Sequence, residues 1–195
     1  MLRMVQLLRP GDPEGDECQR EEEMGWEFDS AHSRVECFVR YLGIVTVRGE
    51  FRAVEGDLDL EGDDPTRWSA VARIEVASFE SFEERRDQKV RGPEYFDAER
   101  FPTITFGSKA VERSGGGYRV LGDLTIRGIT HEVALDGTFN GEARSARGRR
   151  TRGFSLTTSI RRSDFDVHTT SSDGSHMLEA DEVRIALEIG AAWRD

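Results

Sequence analysis

Histidine is the residue type best suited to moving protons or holding a metal at neutral pH, and the chain has four: His32, His131, His168 and His176. A zinc or iron site usually shows ligands at a short fixed interval, and these four are scattered without one, so no metal site is expected. His32 lies in Asp29-Ser30-Ala31-His32-Ser33, a turn-rich stretch before a strand, where the expected role of the ring is a hydrogen bond to loop backbone. No glycine-rich phosphate loop, nucleophile elbow or paired-cysteine motif is present, and Ser114-Gly115-Gly116-Gly117 suits a hairpin connection. Catalysis therefore has no motif behind it. Carboxylates and histidines are abundant enough for an acid–base pair to meet in the fold, so an isomerase or hydrolase remains the alternative to a binding protein.

Two other groups of side chains carry potential chemistry. Arg144, Arg147, Arg149, Arg150 and Arg152 form a basic run in an otherwise acidic sequence. The plain expectation is a solvated hairpin loop; placed at the mouth of a cavity, the same guanidinium groups could hold an anionic head group or touch an acidic membrane surface. The two cysteines, Cys18 in a polar N-terminal stretch and Cys37 in a predicted strand, would gain no evident structural use from a bridge, and reduced thiols in cytoplasm fit them better.

The elements that must position any site read as strands. Alternating apolar positions recur at Tyr118, Val120, Leu124 and Ile126; at Val133, Leu135 and Phe139; at Phe154, Leu156 and Ile160; and at Val183, Ile185, Leu187 and Ile189. Glycine, aspartate, proline and serine clusters separate them. Each strand presents one apolar face, which must pack on a second sheet or line a closed one. Between Phe51 and Val54 the apolar phase switches from odd to even positions, so a β-bulge is expected there, with Gly49 and Gly56 allowing tight curvature. From Phe82 to Val90 the alternation gives way to a short charged helix ended by Gly92-Pro93. Phe79, Phe82, Val90, Tyr95, Phe96 and Phe101 gather around it, as a cap over one barrel end would require.

Composition sets the outer limits. At 195 residues one domain is expected, starting near Met24 after a flexible tail over 1–23. The formal net charge of −11 argues against nucleic acid as a partner, because phosphate binding needs cations that displace counterions. No stretch approaches the roughly 20 apolar residues that cross a bilayer, so membrane contact should be transient at most. Met1 to Pro10 lacks a secretory apolar run, which points to the cytoplasm. A homodimer stays open. Gly174-Ser175-His176-Met177 has the look of a cloning scar but precedes a needed strand, and is taken as native loop.

Read in order, several segments resemble the YceI-like family of polyisoprenoid-binding, lipocalin-like barrels. They are Asp29-Ser30-Ala31-His32-Ser33-Arg34-Val35, Val45-Thr46-Val47-Arg48-Gly49-Glu50-Phe51, Arg86-Asp87 with Tyr95-Phe96-Asp97, and Pro102-Thr103-Ile104-Thr105-Phe106. The most specific is Gly122-Asp123-Leu124-Thr125-Ile126-Arg127-Gly128-Ile129-Thr130, and Ile160-Arg161-Arg162-Ser163-Asp164-Phe165 follows it, so the likeness runs from about Trp26 to about Ile189. Departures are Tyr41 and Lys89 where the family often has histidine, Cys37 in place of phenylalanine, and Asp166 in place of glycine.

The resemblance implies an all-β fold: an eight-stranded antiparallel lipocalin-like barrel with a short helical insertion around residues 82–97. It also implies an elongated apolar cavity for a polyprenyl chain or isoprenoid quinone, with no cofactor and no catalysis. Phase and family position together give the expected lining: Val35, Phe51, Leu58 and Ile74 in the first half, Phe106, Tyr118, Leu124 and Ile126 in the middle, and Phe154, Leu156, Val183 and Ile185 in the last strands. Cys37 would widen the cavity, unless Phe38 or another neighbour fills the volume. Burial stabilises a bound chain by roughly 0.8 kcal/mol per methylene, so a dozen carbons suffice without a strong polar anchor. Three functions follow: a lipid carrier, store or scavenger; a lipid-modifying isomerase or hydrolase; and an interaction module with a filled core. An interior count separates them.

Overall fold

The computed structural model describes residues 25–146, 148–167 and 179–194. The tail over 1–23, Met24, Cys18, Arg147, His168, His176 and the segment Gly174 to Met177 lie outside the described residues.

Ten strands follow one another: β1 (Gly25–Tyr41), β2 (Val45–Phe51), β3 (Val54–Asp59), β4 (Ser69–Glu75), β5 (Phe79–Glu80), β6 (Thr103–Ser114), β7 (Gly117–Ile126), β8 (Ile129–Arg144), β9 (Arg150–Arg161) and β10 (Glu179–Arg194). Among the described residues one α-helix, α1 (Glu84–Arg91), falls between β5 and β6. Hydrogen bonding orders the sheet β10-β9-β8-β7-β6-β4-β3-β1-β2-β5, and β10 also pairs with β1, so the sheet closes on itself. All pairings are antiparallel. Because β2 runs on into β3 and β4 into β5, each pair bending along one neighbour, the closed barrel has eight staves.

The phase switch after Phe51 is a break in the stave. Residues Arg52 and Ala53 leave the strand; Arg52 N–H donates to Ser78 O, and Ala53 O accepts from Glu75 N–H. The inward set then moves from Val47, Gly49 and Phe51 to Val54, Gly56 and Leu58. A larger irregularity falls on the turn-rich stretch Asp29 to Ser33, which lies inside β1 and not before a strand as expected. Along β1 the partner of Asp29 is Gly190 while that of Arg34 is Glu188, so Ser30 to Ser33 bulge from the seam that closes the barrel. Ser33 Oγ donates to Asp29 O and accepts from Gly190 N–H, tying the bulge to β10.

Tight turns hold the hairpins. Gly115 and Gly116 both take positive φ between β6 and β7, as a two-residue hairpin of the primed type requires. Arg127 and Gly128 do the same between β7 and β8. Arg127 uses its turn position to reach the insertion, donating to Pro93 O at 3.1 Å and to Tyr95 O. That clamp accounts for the arginine in the segment Gly122 to Thr130. Asp166 has φ 55°, a left-handed conformation that favours glycine, and its carboxylate lies 3.5 Å from Arg127 Nη2.

Glu83 caps α1 by accepting from the backbone N–H of Arg85 and Arg86. The helix is strapped to the segment before it: buried Asp87 accepts from Ser81 N–H and Ser81 Oγ–H, Arg86 Nη2 donates to Ser81 O, and Arg91 donates to Phe79 O. The resemblance segment Arg86-Asp87 is therefore an anchor for the insertion.

Candidate ligand cavity

The barrel is hollow. A cavity of about 750 Å³ runs along its interior, within the range of pockets that enclose a drug-sized ligand. All twelve residues expected to line it do so, because they alternate in phase on staves whose other face meets solvent. The first-half residues Val35, Phe51 and Ile74 and the mid-barrel pair Leu124 and Ile126 are buried and belong to one contiguous core; Phe106 packs against it from a partly buried position. Leu58 and Phe154 belong to a second cluster around Trp26, Leu60 and Trp68. Tyr118, Leu156, Val183 and Ile185 complete the wall.

Sequence reasoning passed over several lining residues. Val120, Ile160, Leu187 and Ile189 share the phase of residues already chosen, and Val133, Leu135 and Phe139 form the alternating apolar face of β8, so all seven were legible. Trp68, Tyr95, Phe96 and Phe165 lie in turns and in the insertion, where no strand period marks them. Phe38 points outward, where the Arg184 guanidinium stacks on it at 4.2 Å. The ring beside Cys37 is Phe79, which lies on Gly49: a Cβ at Gly49 would stand 2.5 Å from Phe79 Cε2 and 3.2 Å from Cys37 Sγ. Phe106 lies on Gly122 in the same way. Burial pushes the Cys37 thiol up to about 11, so it stays neutral in the wall.

The two ends of the cavity differ. At one end Trp68, Phe139 and Phe154 meet edge to face, with Trp68 5.2 Å from Phe139 and 5.8 Å from Phe154. Behind them Arg152, only 4% exposed, lies between Trp26 at 4.3 Å and Trp68 at 4.8 Å. It donates to Leu60 O at 2.7 Å and pairs with Glu142 at 3.0 Å. Arg150 pairs with the same carboxylate at 2.7 Å, and its hydrogen bonds, with those of Arg152, hold Glu142 down to about 2. This corrects part of the expectation for the basic run: Arg144 and Arg149 are exposed in the β8–β9 hairpin, as a solvated loop requires, but the next two arginines are not. Arg150 and Arg152 neither form a solvated loop nor line the cavity; they seal its closed end.

At the other end the hairpin joining β1 to β2 and the helix α1 flank the opening, with Tyr41, Arg48, Arg85, Arg86 and Lys89 on its rim. Phe51, Phe79 and Phe96 stack edge to face below it. Tyr41 and Lys89, two of the departures, therefore stand at the opening, with Lys89 Nζ 5.5 Å from the Tyr95 ring.

The described histidines lie away from the cavity. His32 Nδ1 is 2.9 Å from the Asp29 carboxylate, a side chain where a backbone partner was expected. His131 Nε2 is 2.9 Å from Asp164 O and its ring meets Phe165 edge-on. Among the described residues no three or more of His, Cys, Asp and Glu gather as a metal would need.

A closed antiparallel barrel around an apolar lumen with one open end defines the class of ligand-enclosing barrels. Within it, the chain belongs to the family of the YceI-like domain, whose model matches residues 26–191. A UPF0312 protein of Staphylococcus aureus is 34% identical over 146 residues, covering 72% of this chain and 81% of that protein. Burkholderia cenocepacia BcnA superposes with a TM-score of 0.75 at 29% identity, over 84% of this chain and 99% of BcnA. A domain from Saccharophagus degradans, described as polyisoprenoid binding and implicated in plant cell wall breakdown, shares the fold at a TM-score of 0.64 and 12% identity, over 88% of this chain and all of that one.

Proposed function

We propose that the protein binds a long isoprenoid lipid, a polyprenyl chain or an isoprenoid quinone, inside the barrel and serves as its carrier, store or scavenger. The observation that carries this reading is the hollow interior of about 750 Å³, walled by aliphatic and aromatic side chains and closed at one end. Binding draws on the removal of apolar surface from water, so selectivity should follow chain length and girth. A filled-core interaction module would leave no such volume. A lipid-modifying enzyme would need a titratable pair aimed into the lumen, whereas of the two lining carboxylates Glu36 is paired with Arg48 and Glu83 is engaged in capping α1. The reading includes a cytoplasmic site of action.

The test is extraction of natively purified protein with organic solvent and mass spectrometry of what is released. Phe106→Arg with Leu124→Arg serves as control, its folding checked by circular dichroism. A polyprenyl compound near one per chain, lost from the folded control, supports the reading. Well-folded protein that yields nothing and takes up no added isoprenoid quinone overturns it.

A further inference from the structure

The exposed apolar side chains are not spread over the barrel. Of the five large ones among the described residues, Leu42, Ile44 and Val45 sit on the tip of the β1–β2 hairpin at 53%, 75% and 52% exposure, and Phe82, at 63%, precedes α1. Both elements flank the opening of the cavity. Leu42 and Phe82 also adopt left-handed backbone, φ 52° and 64°, which is unfavourable for a bulky side chain by about 1–2 kcal/mol and suits glycine or asparagine better. A folded domain in water gains nothing from keeping leucine and phenylalanine exposed at such positions. Broken local rules of this kind cluster at functional sites.

Charge separates this region from the rest of the molecule. Residues 37–49, Cys-Phe-Val-Arg-Tyr-Leu-Gly-Ile-Val-Thr-Val-Arg-Gly, hold two arginines and no acidic residue in a chain whose formal charge is −11. Arg40 hydrogen-bonds Thr46 Oγ1 at 3.1 Å and, like Arg85 and Lys89, has no carboxylate within ion-pair distance among the described residues. Glu36 and Glu50, lower on the same hairpin, are bridged by Arg48. The Arg48 guanidinium in turn lies 5.7 Å from the Phe82 ring, linking hairpin and helix entrance. The tip is continuous with the lumen, since Tyr41 and Val47 next to it already line the cavity.

We propose that this tip is a membrane-docking element: Leu42, Ile44 and Val45 insert among the acyl chains of an anionic bilayer, and Arg40 and the rim cations meet its head groups. A bilayer is the occupant because exposed apolar side chains beside Arg40, Arg85 and Lys89, cations without a carboxylate partner among the described residues, match a surface that is apolar below and anionic above. Docking there brings the open end of the barrel to the lipid phase, where a long isoprenoid resides, so the inference rests on the proposed lipid-binding function. It assigns the delivery step to a different part of the molecule than the lumen.

The test is flotation of the full chain with vesicles of phosphatidylcholine, with and without phosphatidylglycerol. The protein should float with the anionic vesicles and detach as salt rises. Leu42→Ser with Ile44→Ser should weaken partition roughly 100-fold, and Arg40→Gln roughly fivefold at low salt. Uptake of a short, water-dispersed isoprenoid quinone should be unchanged in the Leu42→Ser, Ile44→Ser variant, since neither residue lines the cavity, while its uptake from vesicles slows. Equal flotation of this variant, or no flotation of the native chain, overturns docking, whereas uptake of the dispersed quinone tests the lumen independently. If native protein instead self-associates on a sizing column and the variant does not, the tip is a contact between copies and docking is likewise overturned.

Discussion

The two ends of the barrel solve opposite problems with similar residues. At the closed end an arginine is buried, sandwiched by tryptophans and fully paired, and apolar rings interlock in front of it. At the open end arginines and a lysine sit on the rim, and apolar side chains stand exposed on left-handed backbone. A guanidinium becomes a seal where carbonyl, carboxylate and ring faces enclose it on all sides, as around Arg152, and stays a rim group where its partners leave one side open, as around Arg48. Composition alone does not separate the two; geometry does.

Breaking the seal should have the largest effect. Arg152→Ala removes a buried guanidinium from between Trp26 and Trp68 and leaves the carbonyl of Leu60 without its donor, while Arg150 still holds Glu142, so a loss of about 2–4 kcal/mol is expected in urea unfolding. If the variant's stability stays within about 1 kcal/mol of the native protein, near the accuracy of such titrations, the seal is decorative. Reactivity probes the wall between the ends. With the Cys37 thiol pushed up to about 11, alkylation at pH 8 should run on the order of 100-fold slower in folded than in urea-unfolded protein, followed by mass. Equal rates would mean an open wall.

The smallest expected effect sharpens the comparison through pH. Glu142 is held down to about 2, first by the Arg150 hydrogen bonds, so its contribution is present above its unfolded value near 4.5 and is lost as pH falls towards 2. It is part-exposed, so solvent screening limits this to about 1 kcal/mol or less. Glu142→Gln should flatten the acid limb of the stability curve over that window.

Much of the lumen was legible because strand periodicity is a local property: once Val120 or Leu156 is placed inward, the neighbours two residues away follow. The switch after Phe51 was legible for the same reason, as a change of parity. What stayed hidden depends on distant partners. Nothing near Arg152 in sequence shows that Trp26 and Trp68 will enclose it, and an arginine-rich hairpin reads as solvated until they do. The bulge at Ser30 to Ser33 is set by pairing with Gly190, more than a hundred residues on. Phe38 and Phe79 could be told apart only once Gly49 was seen to give a ring room to lie flat. Asp166 is the converse case: its left-handed backbone shows why glycine suits the position, and aspartate is among the few other residues that tolerate it.

The seam between β1 and β10 has a consequence for how the protein is made. The first and last strands of the barrel are neighbours, Trp26 against Trp193, so closure waits on the largest separation along the domain. During translation, β1 emerges early and remains half-partnered until β10 leaves the ribosome. Through that interval the future lumen is an open, curved apolar surface, the state in which a nascent chain is most in need of a chaperone or of a hydrophobic guest to shield it.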